Sequence, residues 1–323
     1  MKIIKFAIVF IVSVALLTAA FVSIFSVTDI KSESKQETSS AIVENVNSQN
    51  EPADENQNVT SASESQEDAS ASESSSDIEE GSYETEKAEL AQVNAGDLSL
   101  LDTTAVTWGP GVNFNSENQP SACVSLQEKY GNLGAVFINS DNRIYLTFDL
   151  GYESGYTSDI LDVLKANNVK ATFFVTGSYA RNQEEIVKRI ISEGHTLGNH
   201  SNTHPDMTTV SDSDAADEIM QVHNVLKDNY GYESYLFRFP AGTFSAKTLA
   251  VAAENGYHSV FWSFAYNDWD NNNQPDVDAA LEKVTERLHP GAVYLLHPMK
   301  TNSIILNDFI ANARKAGYEI GIM

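Results

Sequence analysis

The stretch YLTFDLGYESGYT, Tyr145 to Thr157, decides how the chain is read. Its first half continues an apolar run from Ile144 to Phe148, which suits a buried strand. The run delivers one carboxylate, Asp149, and Gly151 then opens a turn. The segment near Thr157–Asn167 has the apolar spacing of a helix. A strand, an acid at its C-terminal end, a glycine turn and a helix make one unit of a parallel sheet.

The same alternation continues to the end of the chain. Strands are predicted at RIYLTFD (Arg143–Asp149), KATFFVT (Lys170–Thr176), HTLGNH (His195–His200), YLFRF (Tyr235–Phe239), HSVFWSF (His258–Phe264), AVYLLH (Ala292–His297) and YEIGI (Tyr318–Ile322). Further helices are predicted near Gln183–Glu193, Ser211–Tyr230, Ser245–Asn255, Asp276–Leu288 and Ser303–Ala316. Ser211 and Ser245 are N-cap candidates, and the glycines of EGH, ENG, HPG and KAGY follow last turns. The fold class is therefore α/β, with a parallel sheet and helices outside. Seven strands and six helices fit a barrel one unit short of eight, or an open sheet.

Upstream the composition changes twice. Two lysines precede an uncharged run of 22 residues, Phe6 to Val27, long enough to cross a bilayer of about 30 Å. Residues 1–30 therefore read as a transmembrane signal-anchor, with the lysines cytoplasmic and the rest exported. Cleavage near Ala19–Ala20 or Ser26, giving a secreted protein, is the alternative. Residues 31–96, as in SASESQEDASASESSSDIEE, have almost no large apolar side chains and read as a disordered acidic linker. Such a chain spans on the order of 45 Å. The formal net charge of −25 and the lack of a basic patch argue against nucleic acid as a partner. The single cysteine, Cys123, excludes an intramolecular disulfide and reads as a small buried residue. Nothing in the sequence requires a protein partner.

Parallel α/β folds place their sites at strand C-terminal ends. Asp149 ends the first strand and His200 the third, with His204 four residues on. Arg238 ends the fourth strand, Asp268 and Trp269 follow the fifth, and His297 ends the sixth. In GNHSNTHPDM a helical turn would put both imidazoles on one side, as two nitrogen ligands for a divalent metal such as Zn²⁺. Two unrelated surface histidines are the alternative. Asp149 suits a general base, and Arg238 a cation that keeps it ionised. Asp268 suits the orienting of a histidine, and His297 a general acid. A turn aspartate, a structural ion pair and a core histidine are the plainer readings of these. His195, His223, His258 and His289 have no such setting.

The five segments resemble, in order, the five motifs of the NodB-type polysaccharide deacetylases: TFDLGYE, HSNTH, RFPAG, NDW and LLHP. TFFVTG, EGHTLGNHS, VFWS and HPGAVYLLH look like the branch that acts on N-acetylmuramic acid of peptidoglycan. The resemblance covers roughly Thr107 to Ile322. It implies a distorted (β/α)7 barrel over residues 143–323, with residues 97–142 as an N-terminal extension packed on it. It implies a hydrolase of carbon–nitrogen bonds other than peptide bonds. Asp149 would be the base, His200 and His204 would hold the metal, Arg238 would orient the base, Asp268 would support the acid and His297 would be that acid. A backbone N–H of Gly151 or Tyr152 would help hold the oxyanion. The substrate would be the glycan strands of peptidoglycan, deacetylated to muramic δ-lactam. N-acetylglucosamine, chitin oligomers and acetylated xylan are alternatives, as is a wall-binding pseudoenzyme. Tyr152, Trp269 and Phe244 are candidates for stacking on sugar faces, with core packing as the plainer reading.

Leu150 departs from the pattern. The wider family has a second aspartate there as third metal ligand, and the similar branch commonly has asparagine. Leucine has no lone pair, so with two histidines alone the metal should bind more weakly, unless water, Asp149, Glu153 or the substrate completes its shell.

Overall fold

The structure is a computed structural model and describes residues 96–323. The expected anchor and all but the last residue of the acidic linker lie outside the described residues. Short elements come first: β1 (Val106–Thr107), α1 (Ser121–Tyr130) and β2 (Ala135–Val136). The repeating part follows as β3 (Arg143–Leu150), α2 (Thr157–Ala166), β4 (Thr172–Val175), α3 (Gly177–Asn182), α4 (Glu184–Ser192), β5 (Thr196–Asn199), α5 (Asp212–Tyr230) and β6 (Leu236–Phe237). The last elements are β7 (Thr243–Phe244), α6 (Ala246–Glu254), β8 (His258–Val260), α7 (Val277–Glu286), β9 (Val293–Leu296), α8 (Lys300–Lys315) and β10 (Glu319–Gly321).

The main sheet is parallel throughout, in the order β10-β3-β4-β5-β6-β8-β2, with β9 also on β3. It curls until Phe264 meets Tyr294 in a parallel bridge, joining the segment after β8 to β9. This is the distorted (β/α)7 barrel expected.

Strand parity explains both faces of β3. Ile144, Leu146, Phe148 and Leu150 pack into a core with Ile160 and Leu164 of α2 and Ile305 and Phe309 of α8. The alternate residue Tyr145 joins Phe174, Val260 and Val293 in a small inner cluster. Each fully buried Leu, Ile or Phe contributes about 1.5–3 kcal/mol relative to exposure. Ser211 and Ser245 cap α5 and α6 as expected, the latter in a reciprocal capping box with Thr248.

Two strands are shorter than the apolar runs suggest. β6 is assigned only to Leu236–Phe237, although the Arg238 N–H still donates to the Asn199 carbonyl at 2.9 Å, and the short turn Pro240–Gly242 follows. β8 stops at Val260, beyond which Ser263 and Phe264 both donate to the Val293 carbonyl. Residues 97–142 contribute two strands and a helix: β1 pairs antiparallel with β7, and β2 extends the main sheet beside β8. Trp108 anchors this segment, its indole N–H donating to the Trp262 carbonyl at 2.9 Å. The Gln127 side chain of α1 bonds to β2, donating to the Ala135 carbonyl and accepting from the Phe137 N–H.

Candidate active site

Asp149, the last inward-facing residue of β3, is almost fully buried. Burial alone would push its carboxyl up. The Arg238 guanidinium, and then His200 and His297, outweigh burial and hold it below the ordinary carboxylate range. Arg238 has no exposed surface and donates to Asp149 Oδ1 at 2.8 Å. It is fixed from behind by donation to the Val260 and Phe261 carbonyls and lies over the Phe174 ring. Asp149 is thus an ionised carboxylate with one oxygen engaged.

The second oxygen faces His200 Nε2 at 3.5 Å. His200 Nδ1 lies 2.8 Å from the Arg238 carbonyl, which only accepts, so Nδ1 carries the proton. Nε2 therefore presents a lone pair to the cavity. Burial lowers the His200 pKa to about 4, so the ring is neutral at physiological pH. A lone pair and an anionic oxygen at this distance repel unless something positive sits beside both.

His204 does not share a helical turn with His200. Ser201 and His204 both have left-handed backbones, φ 65° and 61°. The turn is held by Asn199 accepting from the Ser201 N–H, Ser201 Oγ accepting from the His204 N–H, and the Glu218 carboxylate accepting from Thr203. The rings end edge to face, their centroids 4.8 Å apart. The two imidazoles fit a divalent cation held through nitrogen, with the rest of its shell open. Leu150 is fully buried in the core shared with the outer helices and offers nothing. Glu153 is also excluded as third ligand. Its carboxylate accepts from the N–H groups of Gly155 and Thr157 and the hydroxyls of Thr157 and Tyr179. Among the described residues no cluster of three or more His, Cys, Asp or Glu is set to hold a metal.

Across the cavity, His297 Nδ1 donates to Asp268 Oδ1 at 2.8 Å, leaving Nε2 toward the cavity. Burial disfavours the imidazolium. The Asp268 hydrogen bond and charge, with Asp149 behind, overcome burial and raise the His297 pKa. Asp268 has no exposed surface, and its Oδ2 accepts from the His297 backbone N–H and from Asn302. Asn302 and Tyr266 were not singled out from the sequence. Only the NDW and LLHP segments pointed there.

Two adjoining cavities of about 430 and 470 Å³ share Asp149, His200, His204, Trp269 and His297. The first is lined further by Gly151, Tyr152, Ser178 and Asn202, the second by Trp108, Trp262 and Tyr266. Trp269 and Tyr152 are 58% and 55% exposed at the rim, and the Tyr152 hydroxyl donates to the Trp269 carbonyl. Phe244 is a correction: it is fully buried among Tyr130, Phe137, Phe239 and Phe261 and lines neither cavity, because β7 turns it into a separate aromatic core that these residues form. His195 and His289 are interior residues away from the site, held by the Ala171 N–H and the Ser263 hydroxyl. Cys123 is buried, which pushes its thiol pKa up to about 12.

The polysaccharide deacetylase family model matches residues 138–260. The peptidoglycan-N-acetylmuramic acid deacetylase PdaA of Bacillus subtilis is 38% identical over 237 residues, 72% of this chain and 89% of that protein. The chain belongs to the polysaccharide deacetylase family. It is accordingly a hydrolase acting on carbon–nitrogen bonds other than peptide bonds. The solved structure of B. subtilis PdaA, described as a family 4 carbohydrate esterase, superposes with a TM-score of 0.65 at 37% identity, covering 69% of this chain and 96% of that one. An uncharacterised 30.6 kDa protein of Geobacillus stearothermophilus is 42% identical over 217 residues, 66% of this chain and 82% of that one. A protein of Bacillus anthracis described as a CE4 family pseudoenzyme is also similar, at 27% identity and a TM-score of 0.56, covering 58% of this chain and 67% of that one.

Proposed function

We propose that the chain removes the N-acetyl group from N-acetylmuramic acid in peptidoglycan, leaving a free amine that closes onto the lactyl carboxylate as muramic δ-lactam. The observation that carries this reading is the placing of an ionised, arginine-held carboxylate and a carboxylate-held histidine on opposite sides of one cavity. Similarity to PdaA supports the choice of sugar.

Asp149 Oδ2 takes a proton from the attacking water as its oxygen bonds to the acetyl carbon. Arg238 keeps that carboxylate ionised and aimed. His297 Nε2 gives its proton to the amide nitrogen as the carbon–nitrogen bond breaks, releasing acetate and the amine. Asp268 keeps the imidazolium available. A backbone N–H of Gly151 or Tyr152 steadies the developing oxyanion. His200 and His204 would hold a divalent cation, Zn²⁺ above all, which when bound supplies a Lewis acid beside the acetyl oxygen. Trp269 and Tyr152 offer flat apolar faces to a pyranose ring. The apolar run Phe6–Val27 supports attachment to the membrane with the catalytic domain outside.

The test is acetate release from peptide-free peptidoglycan, intact wall and chitin oligomers, with and without chelator. Wild type should act on the peptide-free glycan and Asp149→Asn should not. Leu150 favours a second reading, in which the chain binds wall glycan without turnover. Binding with no acetate from any substrate would establish it.

A further inference from the structure

Behind His297 lies a second layer of hydrogen bonds. Asn302, in the first turn of α8, is buried and spends both amide hydrogens: one on Asp268 Oδ2 at 2.6 Å, the other on the His297 carbonyl at 2.8 Å. Its Oδ1 accepts from the Tyr266 hydroxyl at 2.5 Å. Tyr266 is itself buried, and burial first, then the charge of Asp268, raises its pKa and keeps it a donor. The amide therefore has one orientation. Turned over, it would set its oxygen against the Asp268 carboxylate and the His297 carbonyl, both of which only accept.

Asp268 does not need this contact to be held in place. The backbone N–H and Nδ1–H of His297 already engage both of its oxygens. What the Asn302 N–H adds is positive potential on the far side of the carboxylate, which weakens its pull on the imidazolium proton. We propose that Tyr266 and Asn302 are positioning residues that temper Asp268 and so set how readily His297 gives up its proton. The inference rests on His297 as the proton donor of the proposed reaction. It goes further in naming two residues, outside the five motifs, that set the strength of that acid.

The other charges facing His297 are Asp149 at the end of β3 and Arg238 behind it, with His200 and His204 across the cavity. None of them hydrogen-bonds to Tyr266 or Asn302, so variants at these two positions leave their hydrogen bonds unchanged.

The experiment is a titration of His297 in the full chain, labelled at histidine Cε1 and followed by NMR, with the resonance assigned by His297→Gln. It needs no substrate, so it is separable from the fate of the proposed function. Asn302→Leu removes the donor and excludes a replacement water. It should raise the His297 pKa by about one unit, a tenfold weaker acid. Tyr266→Phe frees the amide and should give a smaller rise in the same direction. The interior histidines His195 and His289 should keep their wild-type resonances, which a general loosening would not allow. An unchanged or lowered His297 pKa in folded Asn302→Leu would overturn the proposal. Should that variant fail to fold, an unmoved His297 in Tyr266→Phe overturns it equally.

Discussion

Arg238→Met is the most informative single change, because Arg238 serves nothing but the interior of the site. It has no exposed surface, donates to Asp149 at 2.8 Å and holds two carbonyls, those of Val260 and Phe261. Methionine fills much of the same volume but leaves Asp149 as an unpaired buried charge. Breaking a buried pair in this way costs about 3–5 kcal/mol. For a domain of this size each kcal/mol moves Tm by about 2–4 °C, so a fall of about 10 °C is expected at pH 7. The sign with pH follows from Asp149. Its folded pKa is depressed, so the pair contributes fully above the unfolded value of about 3.9 and is lost as pH falls through the folded value. In the variant, burial is no longer outweighed by the guanidinium, and Asp149 takes up a proton before the pH reaches 4. The gap in Tm should therefore narrow steadily from pH 7 to pH 4 in calorimetric scans. Asp149→Asn combined with Arg238→Met should be more stable at pH 7 than Arg238→Met alone. A fall below about 3 °C, or one equal at both pH values, would refute the account of Asp149 as an ionised group held by Arg238.

Three further outcomes are expected. Leu150→Asp puts a carboxylate into an apolar core at a cost of several kcal/mol, so the metal-free variant should melt well below wild type. With zinc in excess it should recover more than wild type gains, read by thermal shift, as the new carboxylate turns toward the histidines; an equal gain would count against a two-histidine site short of a ligand. Activity should persist above the ordinary histidine range and fall only as pH rises through the raised His297 pKa, and Asp268→Asn should move that basic limb down in the kcat profile. Trp269→Ala, at an exposed rim position, should raise KM at least several-fold with little change in Tm, whereas an unchanged KM would remove it from the glycan surface.

The fold was legible where strand and helix periodicity ran unbroken. β3, β4, β5, β9 and the helices α2, α4, α5, α6 and α7 fall within a few residues of the expected places, because each buries a continuous apolar face. Several short elements were not legible. β1, β2 and β7 are two residues each, set by distant partners such as Val106 with Phe244 and Ala135 with Ser259, which no local pattern records. α3 was hidden by the glycine at its start. The same limit explains Phe244, an aromatic near the third motif whose strand pairing sends it into the core.

The site residues were legible as types at strand ends, but their orientation was not. Asp149 and Leu150 are neighbours on β3, yet the pleat sends one inward to Arg238 and the other outward to α2 and α8. Periodicity places the strand but cannot say where its pleat gives way to the turn at Gly151, and that point decides whether position 150 reaches the cavity at all. With position 150 drawn into the helix layer, a ligand there requires the strand end to rotate. A leucine, held outward by the core it completes, favours the unrotated form. Its effect on the metal is then twofold: it removes a donor and stabilises the backbone in which no donor could reach. Asp149 escapes the same fate because Arg238, fixed by two carbonyls, meets it on the inner face. The carboxylate that remains is thus specified by its partner across the barrel as much as by its own place in the sequence.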